Sequence, residues 1–172
     1  MRKFLAGILF AVVACVIAMV IYARGGHMAI NADAEPGKIE SWAANSALDA
    51  AVEHQAPQTA NPVPKTDANL IEGMKLYAMN CGGCHGGLDR KRNVFGGAFY
   101  PPAPQIIVLG MHDPEWQTFF VIKHGVRLTA MPAWGKIISD EAIWKVTAFV
   151  TNVDKLPPAV EEQRKLALGG SD

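Results

Sequence analysis

Cysteine is scarce, three residues in 172, too few for a disulfide framework. Charge imbalance is absent as well: 16 basic residues face 16 acidic ones, so nothing in the balance points to nucleic acid or to a strongly acidic partner. No phosphate loop, acid–base pair or nucleophile arrangement stands out, which leaves an enzyme without visible machinery. No convincing pair of alternating strands occurs either, and the expected fold class is all-α.

What the chain does have is one long stretch without charge. Phe4 to Tyr22 carries none over 19 positions, and as a helix it would reach about 28 Å, close to the hydrocarbon thickness of a bilayer. Arg2 and Lys3 precede it and Arg24 follows alone, a bias that keeps the N-terminus in the cytoplasm and sends the rest outside. Two rival fates fit less well. A cleavage site at Ala32-Asp33-Ala34 lies far beyond the run, and a lipidated Cys15 would be followed by seven more apolar residues where lipoproteins turn polar. Residues 1–23 are therefore expected to be an uncleaved transmembrane signal anchor contacting the lipid bilayer.

Residues 24–65 are rich in Ala, Asn, Pro and Gly without a sustained period, the composition of a tether. Within it, 39–54 lacks Pro and Gly and predicts a short helix with Trp42, Leu48 and Val52 along part of one face. That helix either lies against the following domain or docks on a neighbouring subunit or the membrane surface. Asn61-Pro62-Val63-Pro64 closes the tether.

The chemistry-bearing motif is Cys81-Gly82-Gly83-Cys84-His85, the spacing at which a chain takes up covalent c-type haem. Two thiols three residues apart reach two vinyl groups of one porphyrin, and the next histidine presents imidazole to the iron. A zinc knuckle would need a second ligand pair, and the remaining cysteine, Cys15, sits in the apolar run. A thioredoxin-like dithiol should open a helix after a strand, whereas this pair closes a helical pattern.

That pattern begins at Thr66 or Asp67 as N-cap and runs through Leu70, Ile71, Met74 and Tyr77; Gly73 in its middle predicts close approach of another backbone. A middle helix is expected with Asp113 as cap, Pro114 in its first turn, Trp116, Phe119 and Phe120 in its body, and Gly125 past its end. A last helix follows the Ser139-Asp140-Glu141 start, with Ile143, Trp144, Val146, Thr147, Phe149 and Val150.

Over residues 66–158 this order resembles the class I, monohaem bacterial cytochromes c, including forms tethered by an N-terminal helix. LIEGMKLYAMNCGGCHG is similar to the family's first helix, and RLTAMPAWGKIISDEAIWKVTAFV to its sixth-ligand loop and last helix. The resemblance implies one covalently attached haem c, with Cys81 and Cys84 as thioether positions, His85 as proximal ligand and Met131 as distal ligand. A neutral thioether suits Fe(II) and fills the site that oxygen would use. Met111 competes with Met131, Met74 and Met79 suit core packing, and His112 or His124 would be needed for bis-histidine ligation. The resemblance further implies that a carbonyl in Pro101-Pro102-Ala103-Pro104 accepts the His85 Nδ1 hydrogen bond. Arg127 and Trp134 could reach a propionate or serve only exposure and packing; Arg90-Lys91-Arg92 is a solvated loop or a steering patch.

The expected function is single-electron transfer in the periplasm, on the outer face of a bacterial inner membrane. The expected partners are membrane redox complexes: a quinol-oxidising complex or dehydrogenase as donor, a terminal oxidase or reductase as acceptor. The alternatives are a fixed haem c subunit of a larger complex, and a haem enzyme or gas sensor with a vacated distal site. Residues 159–172 are expected to be a C-terminal tail.

Overall fold

A computed structural model describes residues 1–28 and 30–169. The chain divides into two compact units, 1–34 and 35–172. The first is essentially one helix, α1 (Arg2–Arg24), with a window of mean hydropathy 3.0 and every side chain exposed. It is long and apolar enough to cross a membrane once.

The second unit contains α2 (Lys38–Gln55), α3 (Asp67–Asn80), three single-turn helices α4 (Gly82–His85), α5 (Val94–Gly97) and α6 (Ile106–Leu109), α7 (Glu115–His124), α8 (Asp140–Thr151) and α9 (Pro158–Gly169). No strand occurs among the described residues, so the all-α expectation holds. Two starts follow their caps: the Thr66 side chain accepts from the Asn69 amide at 3.3 Å, and Ser139 from that of Ala142 at 3.2 Å. The start of α7 differs. Pro114, with φ −54°, takes the cap position and Asp113 makes no cap hydrogen bond, because the fixed proline φ alone starts the turn one residue later. Gly125 ends it at φ +68°, a left-handed geometry that glycine adopts without strain.

The centre is the crossing of α3 and α8. A β-carbon on Gly73 would collide with the Lys145 carbonyl, so the absence of a side chain is what lets the two backbones touch. Around that point Met74, Tyr77, Ile143, Val146, Phe149 and Val150 are buried in one cluster, with the Tyr77 and Phe149 rings 5.6 Å apart. Phe119 of α7 stacks on Trp144 of α8 at 3.9 Å.

The expected tether and tail both contribute to this body. Val52 at the end of α2 is buried, Glu53 accepts from Gln117 Nε2 and Glu40 from the Tyr100 hydroxyl, each at 2.6 Å. Trp42, expected beside Val52, is instead 70% exposed. Ten residues at 100° each place it about 80° around the helix from the Val52 stripe. Of residues 159–172, expected as a tail, the described ones belong to α9: Val160 is fully buried against Leu70 and Ala148. Met79, expected in the core, is 72% exposed on α3.

Candidate functional site

The motif sits where α3 runs out. The Cys81 amide still donates to the Tyr77 carbonyl at 2.8 Å, and the His85 amide then donates to the Cys81 carbonyl at 2.9 Å, starting a fresh turn. One turn of helix puts positions i, i+3 and i+4 on one side, which brings Cys81, Cys84 and His85 together. Burial, with the neighbouring Cys84 charge second, pushes the Cys81 thiol up to about 12. In the haem-free chain that sulfur is therefore a neutral thiol.

His85 is 9% exposed, and its Nδ1 lies 2.8 Å from the Pro104 carbonyl. A carbonyl only accepts, so Nδ1 carries the proton and Nε2 keeps its lone pair. Burial lowers the His85 pKa against the opposing pull of that hydrogen bond, favouring the neutral ring. A neutral, buried imidazole with its ring orientation fixed and its far nitrogen free is what an axial haem ligand requires.

Gln105, Asn93 and Gly96, which the sequence did not single out, build the wall behind it together with Tyr77. Gln105 is 6% exposed; its Nε2 donates to the Cys84 and Ala103 carbonyls at 2.9 and 3.0 Å, and its Oε1 accepts from the Asn93 amide at 2.6 Å. The Asn93 side chain caps α5 by accepting from the Gly96 amide at 3.2 Å, and a β-carbon on Gly96 would collide with the Cys84 carbonyl. Only the Asn93-x-x-Gly96 spacing carried any signal for this. Tyr77 donates its hydroxyl to the Gly86 carbonyl at 2.8 Å, and burial raises its pKa, so it remains a donor.

Met131 is half-buried and packs, like Cys81, against the main hydrophobic cluster. Its loop is tightly folded: the Met131 amide donates to Thr129 Oγ1 at 3.0 Å, that hydroxyl donates to the Val126 carbonyl at 2.7 Å, and the Val126 amide donates to the Met131 carbonyl at 3.2 Å. Gly125 lies so close beneath that a β-carbon would meet the Met131 carbonyl at 2.7 Å. Trp134 packs on the same cluster while Arg127 is exposed, as are His112 and His124. Of the basic triplet, Arg90 is used internally: it donates to the Val153 carbonyl at 3.1 Å and pairs with Glu161 at 3.6 Å. Lys91 and Arg92 are exposed.

Residues 68–150 match the family model described as cytochrome C oxidase, cbb3-type, subunit III. This segment is a monohaem cytochrome c domain. Its cofactor is covalently bound haem c, which the CxxCH pair and the oriented imidazole both fit. The match begins in α3 and ends in α8, so the cytochrome domain's motif and its Met131 loop lie inside it, while α1, α2 and α9 lie outside. No curated protein and no solved structure matches the chain. Electron transfer through haem follows from the cytochrome domain.

Proposed function

We propose that the cytochrome domain is a single-electron carrier whose haem is attached through Cys81 and Cys84 and ligated by His85 and Met131. The observation that carries this reading is the His85 Nδ1 proton held by Pro104, which leaves Nε2 alone for iron. Bound haem supplies an iron that cycles between ferrous and ferric states. The protein's part would be to hold the imidazole neutral, to present the Met131 thioether from a loop pinned by Thr129 and Gly125, and to offer the apolar surroundings of the cluster against which Cys81 and Met131 pack. With haem bound, the Met131 thioether would raise the reduction potential and leave no open site for small-molecule chemistry.

The chain is held by α1 in a bacterial inner membrane with the cytochrome domain in the periplasm; the run of α1 and its preceding Arg2 and Lys3 support this placement. Its donor is a quinol-oxidising complex or a dehydrogenase, and its acceptor a terminal oxidase or reductase. The family model's description as an oxidase subunit favours a second reading, a fixed subunit of such a complex. The two separate on purification in mild detergent, since a subunit co-purifies at constant stoichiometry and a carrier does not.

Absorption and carbon monoxide titration test the ligand set. The wild-type haem should ignore carbon monoxide, and Met131→Ala should bind it readily with a lower potential. Ready binding by the wild-type protein would remove Met131 from the iron, and unchanged behaviour in Met111→Ala would dismiss its competitor.

A further inference from the structure

The first turn of α2 presents Ile39 and Trp42 outward, 82% and 70% exposed. They are not loose on the domain. Farther along the helix Val52 is buried and Glu53 is bonded to Gln117, while Glu40, between the two exposed residues, accepts from the Tyr100 hydroxyl. A large aromatic and a branched aliphatic side chain are thus fixed in place and face away from the core.

What covers them is constrained by the chain itself. The helix able to cross a membrane ends at Arg24 and α2 begins at Lys38, 14 residue steps later. Fully extended, that chain reaches about 50 Å; as a Gly-rich coil it averages about 20 Å. Docking on the bilayer is then intramolecular, and confinement at that range lets a small contact persist. Trp favours the headgroup zone, where its ring is in apolar surroundings and its N–H reaches polar groups. Along the chain, residues 30–45 carry one basic residue, Lys38, against Asp33, Glu35 and Glu40, a local balance that does not favour anionic headgroups.

We infer that Ile39 and Trp42 seat α2 on the bilayer's headgroup zone, turning the Tyr100 side of the cytochrome domain toward the membrane. Tyr100 opens the loop that ends at Pro104, the His85 acceptor, so this seating sets which side of the haem pocket membrane partners meet. The inference rests on the membrane-anchor reading above.

The test places the full haem-loaded chain in phosphatidylcholine nanodiscs containing a phosphatidylcholine with a photoactivatable group near its headgroup, and maps adducts by mass spectrometry. Adducts are expected on residues 38–45 as well as on α1, falling at least five-fold at 38–45 in an Ile39→Ser/Trp42→Ser variant whose haem spectrum is unchanged. Adducts confined to α1, or adducts at 38–45 that persist in the variant, would each overturn it. Release of the chain from native membranes by alkaline carbonate would overturn the anchor reading itself, a different failure from a retained chain with an unlabelled α2.

Discussion

The Arg164 guanidinium, on a helix outside the family-matched segment, donates to the carbonyl of Leu88, three residues past His85. Arg164 is 9% exposed and is gripped in turn by Glu161 through bonds of 2.7 and 2.9 Å. Since Glu161 also pairs with Arg90, one helix holds the whole turn that leaves the haem motif.

Arg164→Ala should therefore destabilise the haem-loaded protein by about 2 kcal/mol, the range for removing a charged donor from a part-buried carbonyl. The denaturant midpoint reads it. A midpoint equal to wild type would show that α9 does not brace the turn.

Gly73→Ala probes the α3–α8 crossing. The added carbon would meet the Lys145 carbonyl first and the Phe149 side chain next, and neither helix can yield without opening the Met74–Phe149 cluster, so a loss of about 3 kcal/mol is expected. Reduced haem incorporation and a lower melting temperature would register it; full retention of both would refute the close-approach account.

Gln105 should matter more than its lack of charge suggests. Gln105→Leu removes three hydrogen bonds at once and strands the Cys84 carbonyl and Asn93 amide, a loss of about 3 kcal/mol. Hydrogen exchange should rise first at 93–97. If exchange there is unchanged, the wall behind the motif is held by something else.

In the haem-free chain, where no iron occupies Nε2, acid should weaken the site in a definite direction. The folded state lowers the His85 pKa from its ordinary value of 6.5, so the unfolded chain binds that proton more readily. The stability supplied by neutral His85 is then complete above 6.5 and declines as pH falls from there toward the folded state's own lower value. Denaturant midpoints at successive pH values check this, with a His85-independent slope, or a rise on acidification, as the contrary result.

The motif, the membrane-length run and the three main helices were legible because each rests on local rules: ligand spacing, uninterrupted apolarity, caps and 3.6-residue periodicity. Gly73 was legible for a related reason, since a helix tolerates glycine in its middle only when something needs the room. The acceptor for His85 was narrowed to a proline-rich stretch, and the structure selects Pro104.

The rest depended on residues distant along the chain. Gln105 binds Cys84 and Arg164 binds Leu88, 21 and 76 positions apart, and no local pattern records such pairings. The same holds for α9: its single buried stripe through Val160 and Arg164 reads as a polar tail until α3 and α8 offer it a surface. Sequence alone determined the thiol pair and the imidazole that could hold a haem, because that motif needs only neighbouring side chains. Tertiary structure decided how they are aimed, braced and oriented, because those contacts exist only once separate helices pack.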